Sequence, residues 1–190
     1  MEIIDPTQLL IQIAPILDDL DIEYMITGGM ALSVWGRTRS TADIDIIVQL
    51  VESSVPRLRE ALIKISEMGY MDEESAIEAI RQKGEFNFID PLTGVKVDFF
   101  VAKNDLWTKL TFSRKAVKVL DGQKINFISS EDIILSKLNW YKMSNSALQF
   151  EDVKSVLKKQ KNLDFGYLRK WASAQKTDEI LESLLNSDKI

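Results

Sequence analysis

The chain has 190 residues, 45% of them apolar, and a net charge of -5, which describes an ordinary folded protein with one good-sized core or two small domains and argues against an extended nucleic-acid footprint. It contains neither cysteine nor histidine, so disulfides, thiolate chemistry, thiolate or imidazole zinc sites and histidine triads are excluded, leaving carboxylates, lysines, arginines and hydroxyls. No run of about 18 apolar residues and no charged-then-apolar leader pattern occurs, so a cytoplasmic protein without membrane contact is expected.

Between Pro6 and Leu20, apolar residues recur at Leu9, Leu10, Ile13, Ile16, Leu17 and Leu20, a spacing near 3.6 that predicts an amphipathic helix; Pro15 is a point where it could bend or divide. Ile22 to Thr27 reads as a buried strand stopped by Gly28 and Gly29, and Met30 to Trp35 as a short helix ended by Gly36. Ala42 to Leu50 is apolar apart from Asp43, Asp45 and, near its end, Gln49, as expected of an inner strand.

Pro56 to Met68 alternates apolar and charged residues with helical period up to Gly69, and Ser75 to Gln82 is a further helical segment. Phe86 to Ile89 and Val95 to Val101 flank Asp90-Pro91-Leu92-Thr93-Gly94, whose composition signals a hairpin. After a short helix over Asp105 to Leu110, a second hairpin pairs Ala116 to Leu120 with Ile125 to Ile128 around Asp121-Gly122. Ser129 or Ser130 caps a helix through Tyr141, with Glu131 and Asp132 suited to its N-terminal dipole, and helices follow over Leu148 to Gln160, Phe165 to Ala174 and Asp178 to Leu185. The chain thus divides near residue 129 into a mixed α/β (α+β) part and a helical part.

Asp43 and Asp45 stand two apart on a strand, so both carboxylates leave the same face, about 6 to 7 Å apart along the backbone. Asp98 lies in a second strand among Val97, Phe99 and Phe100, where an unpaired charge is costly. If the two strands are neighbours, three carboxylates converge and can hold Mg²⁺ or Mn²⁺, the hard cations that suit oxygen ligands. Gly28-Gly29 at the start of a helix offers backbone N–H groups and a positive dipole end to a phosphate chain, and Arg37 and Arg39 lie between that turn and the acidic strand. Together these parts describe metal-assisted chemistry on a nucleoside triphosphate.

Gly28-Gly29, thirteen residues, Asp43-Ile44-Asp45 and then Asp98 in an apolar strand resemble the signature of the DNA polymerase β-type nucleotidyltransferase superfamily. Ser130 to Leu138 with Glu151-Asp152 resembles the helical region of small prokaryotic members related to AbiEii- and MenT-type toxins. The resemblance implies a mixed sheet flanked by helices, with a nucleotidyltransferase core over residues 1–128 and a helical subdomain over 129–190. It implies a Mg²⁺-dependent enzyme that moves a nucleoside monophosphate from a triphosphate to a hydroxyl of tRNA or protein, as the toxin of a pair whose antitoxin would be a partner. Asp43, Asp45 and Asp98 would be the catalytic metal ligands; Gly28, Gly29, Arg39 and Lys137 would bind nucleotide, with Asp152 lining the pocket. Many members have serine where this chain has Gly29. The competing expectation is a non-catalytic nucleotide-binding or protein-interaction module of the same fold.

Overall fold

The computed structural model describes residues 6–187. In chain order these form α1 (Pro6–Asp19), β1 (Tyr24–Ile26), α2 (Gly28–Trp35), β2 (Asp43–Val48), α3 (Val55–Ile65), β3 (Tyr70–Met71), α4 (Glu73–Gln82), β4 (Glu85–Asp90) and β5 (Val95–Val101). There follow α5 (Leu106–Ser113), β6 (Ala116–Leu120), β7 (Gln123–Phe127), α6 (Ser130–Ser144), α7 (Ala147–Lys159), α8 (Phe165–Ala174) and α9 (Asp178–Ser187). The expected α/β architecture with a mixed sheet is therefore the observed one.

The chain forms two compact units, and the division falls inside α2. One unit reaches Met30 and resumes over Ser40–Ile128; the other joins Ala31–Arg39 to the chain from Ser129 onward. The segment Ala31–Arg39 thus belongs with the C-terminal helices, an exchange that linear sequence does not announce.

In the first unit the strands form one seven-stranded sheet ordered β3-β4-β5-β2-β1-β7-β6. The neighbours β2 and β5 run parallel, as do β1 and β7; the other pairs are antiparallel. One face of the sheet is closed; the other is covered over Met25 of β1 but open where Asp43, Asp45 and Asp98 emerge from β2 and β5. On the closed face Ile44, Ile46 and Val48 of β2, Val97 and Phe99 of β5 and Phe86 and Phe88 of β4 are buried. Phe86 and Phe99 stack there with ring centroids 5.0 Å apart. The open face carries the alternate residues of β2 and β5, which are only half-buried. Side chains on a strand alternate between faces, so Asp43, Asp45, Lys96 and Asp98 all emerge on this open side.

Local sequence accounts for most element ends. Asp121 (φ 46°) and Gly122 (φ 83°) both sit in the left-handed region, as a two-residue hairpin turn that matches strand twist requires. The Asp105 carboxylate caps α5 by accepting from the Thr108 N–H at 2.8 Å, and Ser129 caps α6 by accepting from the Asp132 N–H at 3.1 Å. Pro15 is accommodated within a single helix α1.

Two expectations need correction. The glycine pair is not a turn preceding a helix, because α2 already begins at Gly28; a strand that closes at Ile26 leaves only Thr27 before the helical turn. The two-residue strand β3, which pairs with β4 as Tyr70 opposite Ile89 and Met71 opposite Phe88, was not foreseen, since two residues are too short to show a period.

The second unit is helical. α6 contacts both α7 and α8, and α8 contacts α9. Glu131 and Asp132 of α6 are buried, yet each has a polar partner: Glu131 accepts from the Asp164 N–H at 3.0 Å, and Asp132 accepts from the Tyr167 hydroxyl at 2.7 Å.

Candidate active site

The parallel register between β2 and β5 assembles the acidic centre. Asp43 stands opposite Lys96 and Asp45 opposite Asp98, so four charged side chains occupy a patch two strands wide on the open face. Adjacent strands lie about 4.8 Å apart. The two aspartates of β2 and the one of β5 therefore emerge on one face of neighbouring strands, with Asp45 beside Asp98 and Asp43 beside Lys96.

Lys96 was not foreseen. Its Nζ lies 2.8 Å from Asp98 Oδ2, and the side chain of Asp98 is only 16% exposed. The hydrogen bond to Asp98 is the strongest influence holding the Lys96 ammonium above the usual lysine value. Burial opposes it, and the charges of Asp98, Asp43 and Asp45 reinforce it. The available signal was its position two residues before Asp98, which fixes it to the same face of a strand.

Gly28 closes one edge of this patch. Its φ is +60°, and a Cβ built there would collide with the Asp45 carboxylate, so backbone conformation and space both demand glycine. At Gly29 a Cβ would lie 2.8 Å from Thr41 Oγ1 and 2.9 Å from Thr41 Cβ. The Thr41 side chain thus fills the space that a serine at position 29 would need, and its hydroxyl donates to the Asp43 carbonyl at 3.1 Å.

Among the described residues no three acidic side chains are arranged, as they stand, to hold a metal ion. The donor types nevertheless suit a hard divalent cation, and the patch already accommodates positive charge in the form of the Lys96 ammonium. A bound Mg²⁺ or Mn²⁺ would draw on Asp43 and Asp45, with Asp98 beside them.

The other candidate residues meet in the second unit. Asp152, fully buried on α7, accepts from Arg37 Nε at 3.1 Å and Nη2 at 2.9 Å. Lys137 Nζ approaches its other oxygen at 3.1 Å, and Arg39 Nε lies 3.7 Å from that same oxygen. Three cations therefore share one buried carboxylate. The predicted residues Arg39 and Lys137 are neighbours through Asp152, although 98 residues separate them in sequence.

A mixed sheet with this acidic patch, joined to a helical unit, is the architecture of a nucleotidyltransferase, and the chain is a transferase enzyme. The model of the family described as nucleotidyltransferases of unknown function (DUF6036) matches residues 4–187, and the chain belongs to that family. Among solved structures, ANT(2″)-Ia in complex with adenylyl-2″-tobramycin is 17% identical, with 92% of this chain and 98% of that chain covered at a TM-score of 0.57. An antigenic nucleotidyltransferase-like protein from Paracoccidioides brasiliensis is 18% identical, with 95% and 92% covered at a TM-score of 0.56. The lincomycin-bound lincosamide adenylyltransferase LnuA is 11% identical, with 83% and 99% covered at a TM-score of 0.53. No curated protein matches this sequence. Among the described residues no helix is long and apolar enough to cross a membrane.

Proposed function

We propose that the protein is a divalent-metal-dependent nucleotidyltransferase that moves a nucleoside monophosphate onto an acceptor hydroxyl at the patch formed by Asp43, Asp45 and Asp98. The observation that carries this is the β2–β5 register, which sets Asp45 beside Asp98 on an open sheet face next to Gly28. Mg²⁺ or Mn²⁺ would neutralise charge on the triphosphate. Asp43 and Asp45 hold that cation. The start of α2 at Gly28 and Gly29 faces the phosphates with backbone rather than side chain. Asp98 takes the proton of the acceptor hydroxyl as its oxygen bonds to the α-phosphorus; the bond from that phosphorus to the bridging oxygen breaks, and pyrophosphate leaves. In the second unit by itself, Arg39 and Lys137 share Asp152 with Arg37, and this surplus of positive charge suits an anionic ligand.

For the acceptor, the resemblance of Ser130–Leu138 and Glu151–Asp152 to toxin relatives supports a hydroxyl of tRNA or protein, with an antitoxin as partner. A small-molecule hydroxyl is the second reading: structures bearing adenylyl-tobramycin and lincomycin share this fold over nearly their whole length.

The test offers each α-³²P-labelled nucleoside triphosphate with Mg²⁺ to total tRNA, to cell protein, and to aminoglycosides and lincosamides. Label in one acceptor class identifies it. Replacing Asp43 by Asn is expected to lower transfer at least ~100-fold, since charge stabilisation by a metal contributes several kcal/mol. Nucleotide binding without transfer to any acceptor would favour the non-catalytic module.

A further inference from the structure

β6 is the last strand of the sheet and pairs with β7, from Ala116 opposite Phe127 to Leu120 opposite Gln123. Its outer edge has no strand beside it among the described residues. The two-residue turn at Asp121-Gly122 fixes which backbone groups point that way. Leu120 and Gln123, which flank the turn, exchange hydrogen bonds, and so, by alternation along an antiparallel ladder, do Lys118 with Ile125 and Ala116 with Phe127. The N–H and C=O groups of Val117 and Val119 therefore face outward.

The side chains of the same two residues are open as well: Val117 is 56% and Val119 62% exposed, and alternate positions put them on one face. Outward donors and acceptors combined with exposed β-branched side chains form a template for a further strand. A nucleic acid would engage neither the valines nor the edge amides.

Charge decides which strand fits. Arg114, Lys115, Lys118 and Lys124 stand on or beside this hairpin against Asp121 alone, in a chain whose net charge is -5. Glu23 lies 3.6 Å from Lys115, and the balance stays positive with it counted. A second copy is disfavoured, because the antiparallel register that uses both valines sets Val117 against Val119 and Lys118 against its own counterpart, a like-charge pair. A strand that carries carboxylates meets the opposite situation.

We propose that the outer edge of β6 docks an extended acidic segment of a partner protein, which lengthens the sheet by one strand. Apolar residues of that segment lie over Val117 and Val119, and a carboxylate between them turns to the face of Lys118. β7 and β1 stand between this edge and the acidic patch on β2 and β5, so docking and nucleotidyl transfer are measured independently.

The test follows backbone amide exchange in the ¹⁵N-labelled full chain by NMR, with and without excess acetyl-Glu-Val-Glu-Val-Glu-Val-Glu-amide. In the chain alone, the Val117 and Val119 amides exchange fast, and those of Lys118 and Leu120, bonded to β7, slowly. The acidic peptide is expected to slow Val117 and Val119 by at least ~10-fold, while the same peptide with lysine for each glutamate does not. Val119→Pro removes one outward N–H and leaves the β7 ladder whole, so this variant, folded by circular dichroism, should lose the protection at Val117. No slowing by the acidic peptide, equal slowing by its lysine counterpart, or undiminished protection in folded Val119→Pro overturns the proposal. Slow exchange of both valines in the chain alone, relieved by dilution, marks pairing between copies and overturns it too. Shifts of the Lys118 and Lys124 signals by oligouridylate, with no response to the acidic peptide, assign the surface to nucleic acid instead.

Discussion

Gly28 shows how tightly single residues define this site. Any side chain at φ +60° is strained by about 1–3 kcal/mol, and here a Cβ also collides with the Asp45 carboxylate. Gly28→Ala is therefore expected to lower unfolding free energy by at least ~2 kcal/mol in urea titration, with loss of nucleotide binding; an unchanged midpoint would contradict the packing described. At the next position, Gly29→Ser should be tolerated only if Thr41 gives way, so Thr41→Ala in the same chain should restore stability lost by Gly29→Ser. The acidic trio was legible in the sequence because alternation on a strand is local: Asp43 and Asp45 must share a face, and a carboxylate at Asp98 between Val97 and Phe99 needs a reason. Lys96 was passed over although its place two residues before Asp98 on one strand face is a local signal; what no local pattern encodes is the register that sets it opposite Asp43. The resemblance had grouped Lys137 with Asp152, but the arrival of Arg37 and Arg39 at that carboxylate depends on contacts more than a hundred residues apart.

At the scale of elements, caps and burial decide stability. Ser129 both accepts from the Asp132 N–H and donates to the Asp132 carboxylate at 2.6 Å, at the buried start of α6. Ser129→Ala removes a cap and a buried partner together, and should cost about 1–3 kcal/mol by chemical denaturation. Tyr24 on β1 is almost fully buried, and burial, with the charge of Asp18 adding to it, pushes its hydroxyl up to about 12. The unfolded hydroxyl ionises near 10, so the folded state keeps its full stability below that pH. Between pH 10 and about 12 the unfolded chain releases the proton first, and stability should fall by up to ~1.4 kcal/mol per pH unit from this group. Tyr24→Phe should flatten that limb of the alkaline unfolding curve. Most helices and the hairpins were legible from period and turn chemistry. The start of α2 at Gly28 was not, because glycine is a poor helix former whose place there is set by the Asp45 carboxylate packed against it.

For the whole molecule, the division of labour follows from topology: one unit carries a sheet with an acidic open face, the other a helical cluster with three cations on one carboxylate. Membership in a nucleotidyltransferase family agrees with the transfer chemistry proposed for the first unit. The assignment of chemistry to the carboxylates is tested most directly by transfer of label from α-³²P nucleoside triphosphates, with Mg²⁺ and a fractionated cell extract, by wild type and by Asp43→Asn with Asp45→Asn. Label transferred by wild type and lost in the folded double variant is the predicted result. Label that persists undiminished in the double variant would contradict it.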